Sequence, residues 1–279
     1  MEPPADLTVD DADDLRGFHF KRLIRKPLTS ILTGVVAIPA GIAGAIVLGP
    51  LLGLAILAGV VALAVIVVFF IADSKSESAF FKLYSEQRGM RLTGASDLPA
   101  ATPLLRKGDE RSAAQVMAGP IAEGLEGTVA LYTYTDVYHD KNGRHENNYP
   151  FTVVMTHLPE TVSLCPELLC NRKFGFKAFE KLEDAFRKNE RVKLESVKLD
   201  DRFEIFADEK QDANWLRQLF SPTFIVWLAE HTPKKFAFEL VDGTLCCNVS
   251  GHKKSAADLD AMREAAAGVA RRLREESAE

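Results

Sequence analysis

Four cysteines, Cys165, Cys170, Cys246 and Cys247, with His157 and His252 close to them in sequence, are the first candidates for chemistry in this chain. Thiolates and imidazoles are the usual ligands of structural zinc, which favours pairs separated by roughly two to four residues. Cys165 and Cys170 stand at the long edge of that spacing, while Cys246 and Cys247 are adjacent. Neighbours on a strand point to opposite faces, so at most one of the second pair joins a shared site. Small buried thiols in a reducing compartment account for them better than a metal does. A second polar group, His139, Asp140, His145 and Glu146, surrounds Asn142-Gly143, and a third is Asp200, Asp201 and Glu204. Paired carboxylates suit acid–base work. Adjacent aspartates are equally the ordinary residues of a turn. P-loop, dinucleotide-binding, metalloprotease and nucleophile-elbow motifs are all missing. No residue is therefore assigned as catalytic, cofactor-binding or metal-ligating, and no cofactor is expected.

The elements that hold these residues can be read from pattern. Residues 128–138 and 151–157 are dense in β-branched and aromatic residues, which marks strands, and Asn142-Gly143 between them is the favoured pair for a two-residue hairpin turn. That turn sets Lys141 opposite Arg144, Tyr134 opposite Phe151 and Tyr132 opposite Val153. It also divides the polar cluster, with His139 and Glu146 on one face and Asp140 and His145 on the other. Strands are expected at 191–199 and 202–206, joined at Asp200-Asp201, and a second hairpin at 235–241 and 244–249 around Asp242-Gly243. Helices are expected at 211–220, at 222–231 with Ser221 as N-cap, and at 255–277, where Leu259, Met262, Ala266, Val269 and Leu273 recur at helical spacing. Strand pairs interrupted by helices imply an α+β domain with a mainly antiparallel sheet.

The chain has 279 residues, 47% apolar and 26% charged, with a net charge of -5. That balance offers no excess of cations for phosphates, so nucleic acid is not expected as a partner. Residues 28–72 contain no Asp, Glu, Lys, Arg or His. Gly49-Pro50 divides them into 28–49 and 51–72, each long enough to cross a hydrocarbon core of ~30 Å, and the expectation is a transmembrane hairpin. Lys and Arg flank the hairpin at both ends, which predicts a multi-pass protein of the bacterial inner membrane with both termini cytoplasmic. The expected organisation is an acidic disordered tail at 1–14, a basic juxtamembrane segment at 15–27, the hairpin at 28–72, a juxtamembrane helix and Pro/Gly-rich connector at 73–116, and an α+β domain at 117–279. The lipid bilayer is the expected partner. Ala37/Gly41 and Ala40/Gly44 also suit helix packing with other membrane proteins or with a second copy.

The passage Leu194-Glu195-Ser196 through Phe203-Glu204-Ile205-Phe206-Ala207-Asp208, then Ala213 and Phe220-Ser221-Pro222, resembles a bacterial membrane-protein family of unknown function. Leu158-Pro159 and Cys165-Pro166-Glu167 are similar to a second passage of that family. The chain departs from the pattern at Leu199, at Phe220 and in a charged insert at 177–190, read as an extra helix. The resemblance implies two N-terminal transmembrane helices, and it carries over no catalytic residue. Together these observations predict a membrane-anchored cytoplasmic binding or scaffold module. The alternatives are a tethered hydrolytic or metal-assisted enzyme and an accessory subunit of a membrane complex.

Overall fold

The runs rich in valine, threonine and tyrosine form the longest strands of the molecule. In the computed structural model, residue 39 and residues 49–141, 143–172, 189–192 and 203–278 are described. They contain strands β1 Arg91–Gly94, β2 Glu110–Ala122, β3 Leu125–Asp140, β4 Gly143–His157, β5 Glu167–Arg172, β6 Asn189–Val192, β7 Phe203–Asp208, β8 Ala237–Val241 and β9 Thr244–Ser250. The α-helices are α1 Pro50–Gln87, α2 Pro103–Arg106, α3 Ala213–Leu219, α4 Pro222–Glu230 and α5 Ala256–Ala278, and a 3-10 turn covers Pro159–Thr161. The strands form one sheet in the order β1-β2-β3-β4-β9-β8-β5-β7-β6, antiparallel at every pairing.

This corrects the expected fold class. An unpaired strand edge leaves backbone donors and acceptors unsatisfied. Each hairpin therefore pairs onward, β4 with β9 and β8 with β5, and the fold is mostly sheet with few helices rather than an α+β domain behind a helical hairpin. The expected membrane placement is corrected too. Among the described residues no helix is long and apolar enough to cross a membrane. Residues 51–72, read as the second span, are the first part of a single 38-residue helix, α1, that continues into Asp73, Lys75, Glu77, Lys82 and Glu86. Of the first expected span, 28–49, only Pro39 and Gly49 are among the described residues. The transmembrane hairpin and the multi-pass inner-membrane location are thus overturned.

The chain divides into two compact units, Met1–Tyr84 with Lys254–Ala256, and Ser85–Lys253 with Ala257–Glu279. In the first, α1 exposes Leu51, Leu54, Leu63 and Ile66, and lower down buries an aromatic cluster. Phe80 lies edge-on to Phe81 at 5.1 Å and stacks with Tyr84 at 6.0 Å. Lys254 pairs with Glu77.

The second unit holds the sheet. Residues 91–116, read as a connector, carry β1, α2 and the start of β2. The Ala-, Gly- and Pro-rich β2 has a weak intrinsic strand signal. It becomes one because it satisfies the long edge of β3, with a bulge at Gln115 (φ 50) shifting the register between Ala114 and Met117. In the hairpin of β3 and β4 Asp140 faces Gly143, so Gly143 belongs to the strand and not to the expected Asn142-Gly143 turn. Tyr134 therefore faces Tyr149 and Tyr132 faces Phe151. The difference is two residues, so every side chain keeps its expected face. The hairpin of β8 and β9 has the expected register, Val241 opposite Thr244. Its turn places Asp242 at φ 46 and Gly243 at φ 75, both left-handed, as a type I′ turn requires. A Cβ on Gly243 would lie 3.0 Å from Leu158 O. Of the expected strands at 191–199 and 202–206, only 191–192 and 203–206 are described, pairing within β6 and β7 with Arg191 opposite Phe206, and 193–202 lie outside the described residues. So does nearly all of the insert at 177–190.

Every residue of β8 is buried, so both faces of the sheet centre are covered. On one face, Leu98, Leu104 and Leu105 of a strap at 95–107 pack on Ala130, Tyr132, Tyr134, Phe151, Val153, Met155 and Cys246. The opposite face holds Met117, Val129, Leu131, Val154, Cys247 and Val249, all buried. Helix α5 buries the apolar stripe read from sequence, Leu259 through Leu273. Arg263 donates to Pro120 O at 2.9 Å and Arg274 to Gly124 O at 3.2 Å, which anchors α5 along the end of the β2–β3 hairpin.

Candidate functional site

The cysteines and histidines are not brought together. All four thiols are free and buried. Cys165 contacts Glu167 O at 3.8 Å, and burial pushes its thiol up to about 12. Cys170 lies between Phe238 and Ile205 in the sheet. Cys246 and Cys247 point to opposite faces as neighbours must, and because both faces are covered, burial drives both thiols far above the usual range. Thiolates are the form that ligates and attacks. His252 Nε2 is engaged by Thr133 Oγ1 at 3.1 Å and Tyr132 O at 3.2 Å. Among the described residues, no group of three or more His, Cys, Asp or Glu is placed to hold a metal.

The hairpin tip has different cross-strand partners from those expected, with the division between faces unchanged. His139 faces Arg144 and Asp140 faces Gly143. Asp140 still meets His145, at 2.9 Å, and Tyr138 stacks on that ring at 5.2 Å. Arg144 bridges Glu110 at 2.5 Å and Glu146 at 3.0 Å. These are exposed ion pairs, each worth at most about 1 kcal/mol. Of the third group, Asp200 and Asp201 lie outside the described residues, and Glu204 is held by Arg191 at 3.3 Å.

Sequence reading missed Glu239. In Ala237–Val241 it looks like the one solvent-facing residue of an apolar strand, yet it is only 2% exposed. Its carboxylate accepts a hydrogen bond from Leu104 N at 3.0 Å, capping the one-turn helix α2 within the strap. Thr102 Oγ1 is buried beside it without a hydrogen bond of normal geometry. Burial raises the Glu239 carboxyl to about 7, against the opposing pull of the Leu104 N–H and of Arg106 and Lys107. The group is sealed beneath the strap, with Cys246 opposite it on β9. Such an arrangement anchors a strap. It has no opening for a substrate.

The open site lies elsewhere, in a cleft of about 530 Å³ between the end of β2, α4 and α5. Its apolar floor comes from Ile121, Phe224, Trp227 and Ala267. Proline at the first turn starts α4, Phe224 and Leu228 face inward, and Trp227 is left half-buried with its ring stacked 5.6 Å from Phe224. Gly268 is the single glycine of α5. A Cβ there would sit 2.3 Å from the Trp227 ring, so the absence of a side chain lets the indole lie against the helix. A helix-interior glycine costs about 1 kcal/mol relative to alanine, which marks this position as shaped for the contact. A lone Gly in an alanine-rich helix was the signal available in the sequence. At one end Arg272 donates to Leu219 O at 3.1 Å and also grips Gln218 O, and it pairs with Glu276 at 2.5 Å. Glu264 and Arg271, two helical turns apart on α5, line the same cleft and are exposed. The cleft contains no cysteine, histidine or serine among its lining residues. It offers an aromatic floor and charged ends, suited to holding a molecule.

The fold defines a class: a single large antiparallel sheet strapped on one face and flanked by a long C-terminal helix. It is similar to the crystal structure of the mycobacterial trehalose monomycolate transport factor A, TtfA, with a TM-score of 0.50 and 11% identity, over 71% of this chain and 94% of that one. At that identity the likeness is one of fold. No family model matches the chain. No curated protein matches it either. The family resemblance stands on the Leu158–Glu167 and Leu194–Pro222 passages alone.

Proposed function

We propose that this chain is a binding or scaffold module that acts through the cleft between β2, α4 and α5 rather than by catalysis. The observation that carries it is the half-buried Trp227, which lines the cleft and lies against α5 at Gly268. A half-buried indole lining a concavity is a common anchor for ligands and partners. Support comes also from a fold shared with a protein described as a trehalose monomycolate transport factor. That description accords with a binding or scaffold role, which is the coarse sense taken for this chain.

A photo-crosslinking residue in place of Thr223, at the cleft, tests the reading against one in place of Lys141 on the hairpin tip. Adducts formed from position 223 and lost when Ala122→Phe fills the cleft support it. Adducts of equal yield from position 141, or adducts indifferent to Ala122→Phe, overturn it.

A further inference from the structure

We propose that the cleft takes a single-chain amphiphile with an anionic head, the alkyl chain lying along Phe224 and Trp227 and the head group on Arg271. The inference rests on the reading of the cleft as the binding site and names its ligand class.

The two arginines at this end of α5 are in different situations. Arg272 is occupied by the carbonyls of Gln218 and Leu219 and by Glu275 and Glu276. Arg271, one residue earlier, forms no hydrogen bond or ion pair among the described residues and is exposed at the cleft. A guanidinium carries five donors and stays charged at any physiological pH, so an unpaired one beside an apolar floor is a ready partner for a carboxylate or phosphate.

The direction of the ligand follows from the packing. Gln218 and Leu219 immediately precede the start of α4, so the grip of Arg272 puts positions 271 and 272 at the N-terminal end of that helix. Trp227 meets Gly268 one turn further along α5, and Glu264 stands one turn beyond that. Arg271, Arg272 and the positive end of the α4 dipole share one end of the cleft with the Glu275 carboxylate, which Arg272 pairs at 3.6 Å, and Glu264, in no ion pair among the described residues, stands at the other. An anion is attracted to the Arg271 end and repelled from the Glu264 end, which leaves the aromatic floor between them for the chain. About 530 Å³ is within the usual range for small-ligand sites. A neutral apolar molecule would use the floor and leave Arg271 idle.

Quenching of Trp227 fluorescence by brominated amphiphiles tests this in the full chain. Trp215, the other of the two tryptophans, is buried and is replaced by Trp215→Phe so that Trp227 alone reports. The probes are dibromostearate and its uncharged methyl ester. The expected result is saturable quenching by the acid, with binding about tenfold weaker for the ester, equivalent to ~1.4 kcal/mol. Arg271→Gln brings the acid down to the level of the ester, and Ala122→Phe abolishes both. Rising salt, measured without any variant, narrows the gap between acid and ester. Equal binding of acid and ester overturns the ligand class, as does an Arg271→Gln protein that still discriminates, or the lack of saturable quenching by either probe. If position 223 still crosslinks in a manner blocked by Ala122→Phe, the binding reading survives that failure and only the amphiphile is lost.

Discussion

Glu239→Gln removes the pH dependence that a buried carboxyl imposes on stability. The folded protein holds this carboxyl at about 7, against 4.5 for an ordinary glutamate. Between those values the native state keeps a proton that the unfolded chain has released, so stability falls as pH rises from about 4.5 to about 7 and is flat, for this residue, on either side. A gap of that width corresponds to about 3 kcal/mol at ~1.4 kcal/mol per unit. Glutamine keeps an oxygen for the Leu104 N–H and cannot ionise. The variant is therefore equal to the parent near pH 4.5 and more stable by up to about 3 kcal/mol at pH 8. Urea unfolding followed by tryptophan fluorescence, at half-unit steps of pH across the window, measures the difference directly. Parallel curves for parent and variant across the whole range would refute the reasoning, since the ionisation would then cost the native state nothing. Glu239→Ala serves as the control: it strips the acceptor from a buried N–H and destabilises at every pH, by about 1 to 3 kcal/mol.

Gly268→Ala drives a methyl group into the Trp227 ring and costs about 1 to 3 kcal/mol, read as a lower melting temperature, while adding Trp227→Leu recovers part of the loss. Arg88→Ala removes the paired bonds to Asp260 at 3.0 and 2.5 Å. Because both side chains are about a third exposed, the cost stays within ~1 kcal/mol, and it shows as faster amide exchange at 85–90 with no change at β8. The four thiols stay unreactive toward a soluble disulfide reagent at pH 8 in the native protein and react fully in denaturant, since burial keeps all four out of reach and holds Cys165, Cys246 and Cys247 protonated.

Where a residue's role follows from its chain neighbours, sequence alone was enough. Asp242-Gly243 specifies a left-handed two-residue turn, and β8 and β9 pair in the register that turn dictates. Helix α5 appears where apolar residues recur at helical spacing, within one residue at each end. The opposite faces of Cys246 and Cys247 follow from the pleat of a strand. Tertiary structure decided whatever depends on the other side of a contact. β2 lacks strand propensity and is a strand because β3 needs a partner. The uncharged run at 51–72 has the composition of a span, but the described helix that contains it continues into a charged segment, and nothing within the run itself reports that. Glu239 is indistinguishable in sequence from an exposed strand residue, and only the strap at 95–107 buries it. The cleft joins β2, α4 and α5 from three distant stretches of chain. A lone glycine at 268 hinted that something lies close against α5, but only the fold shows that it is Trp227.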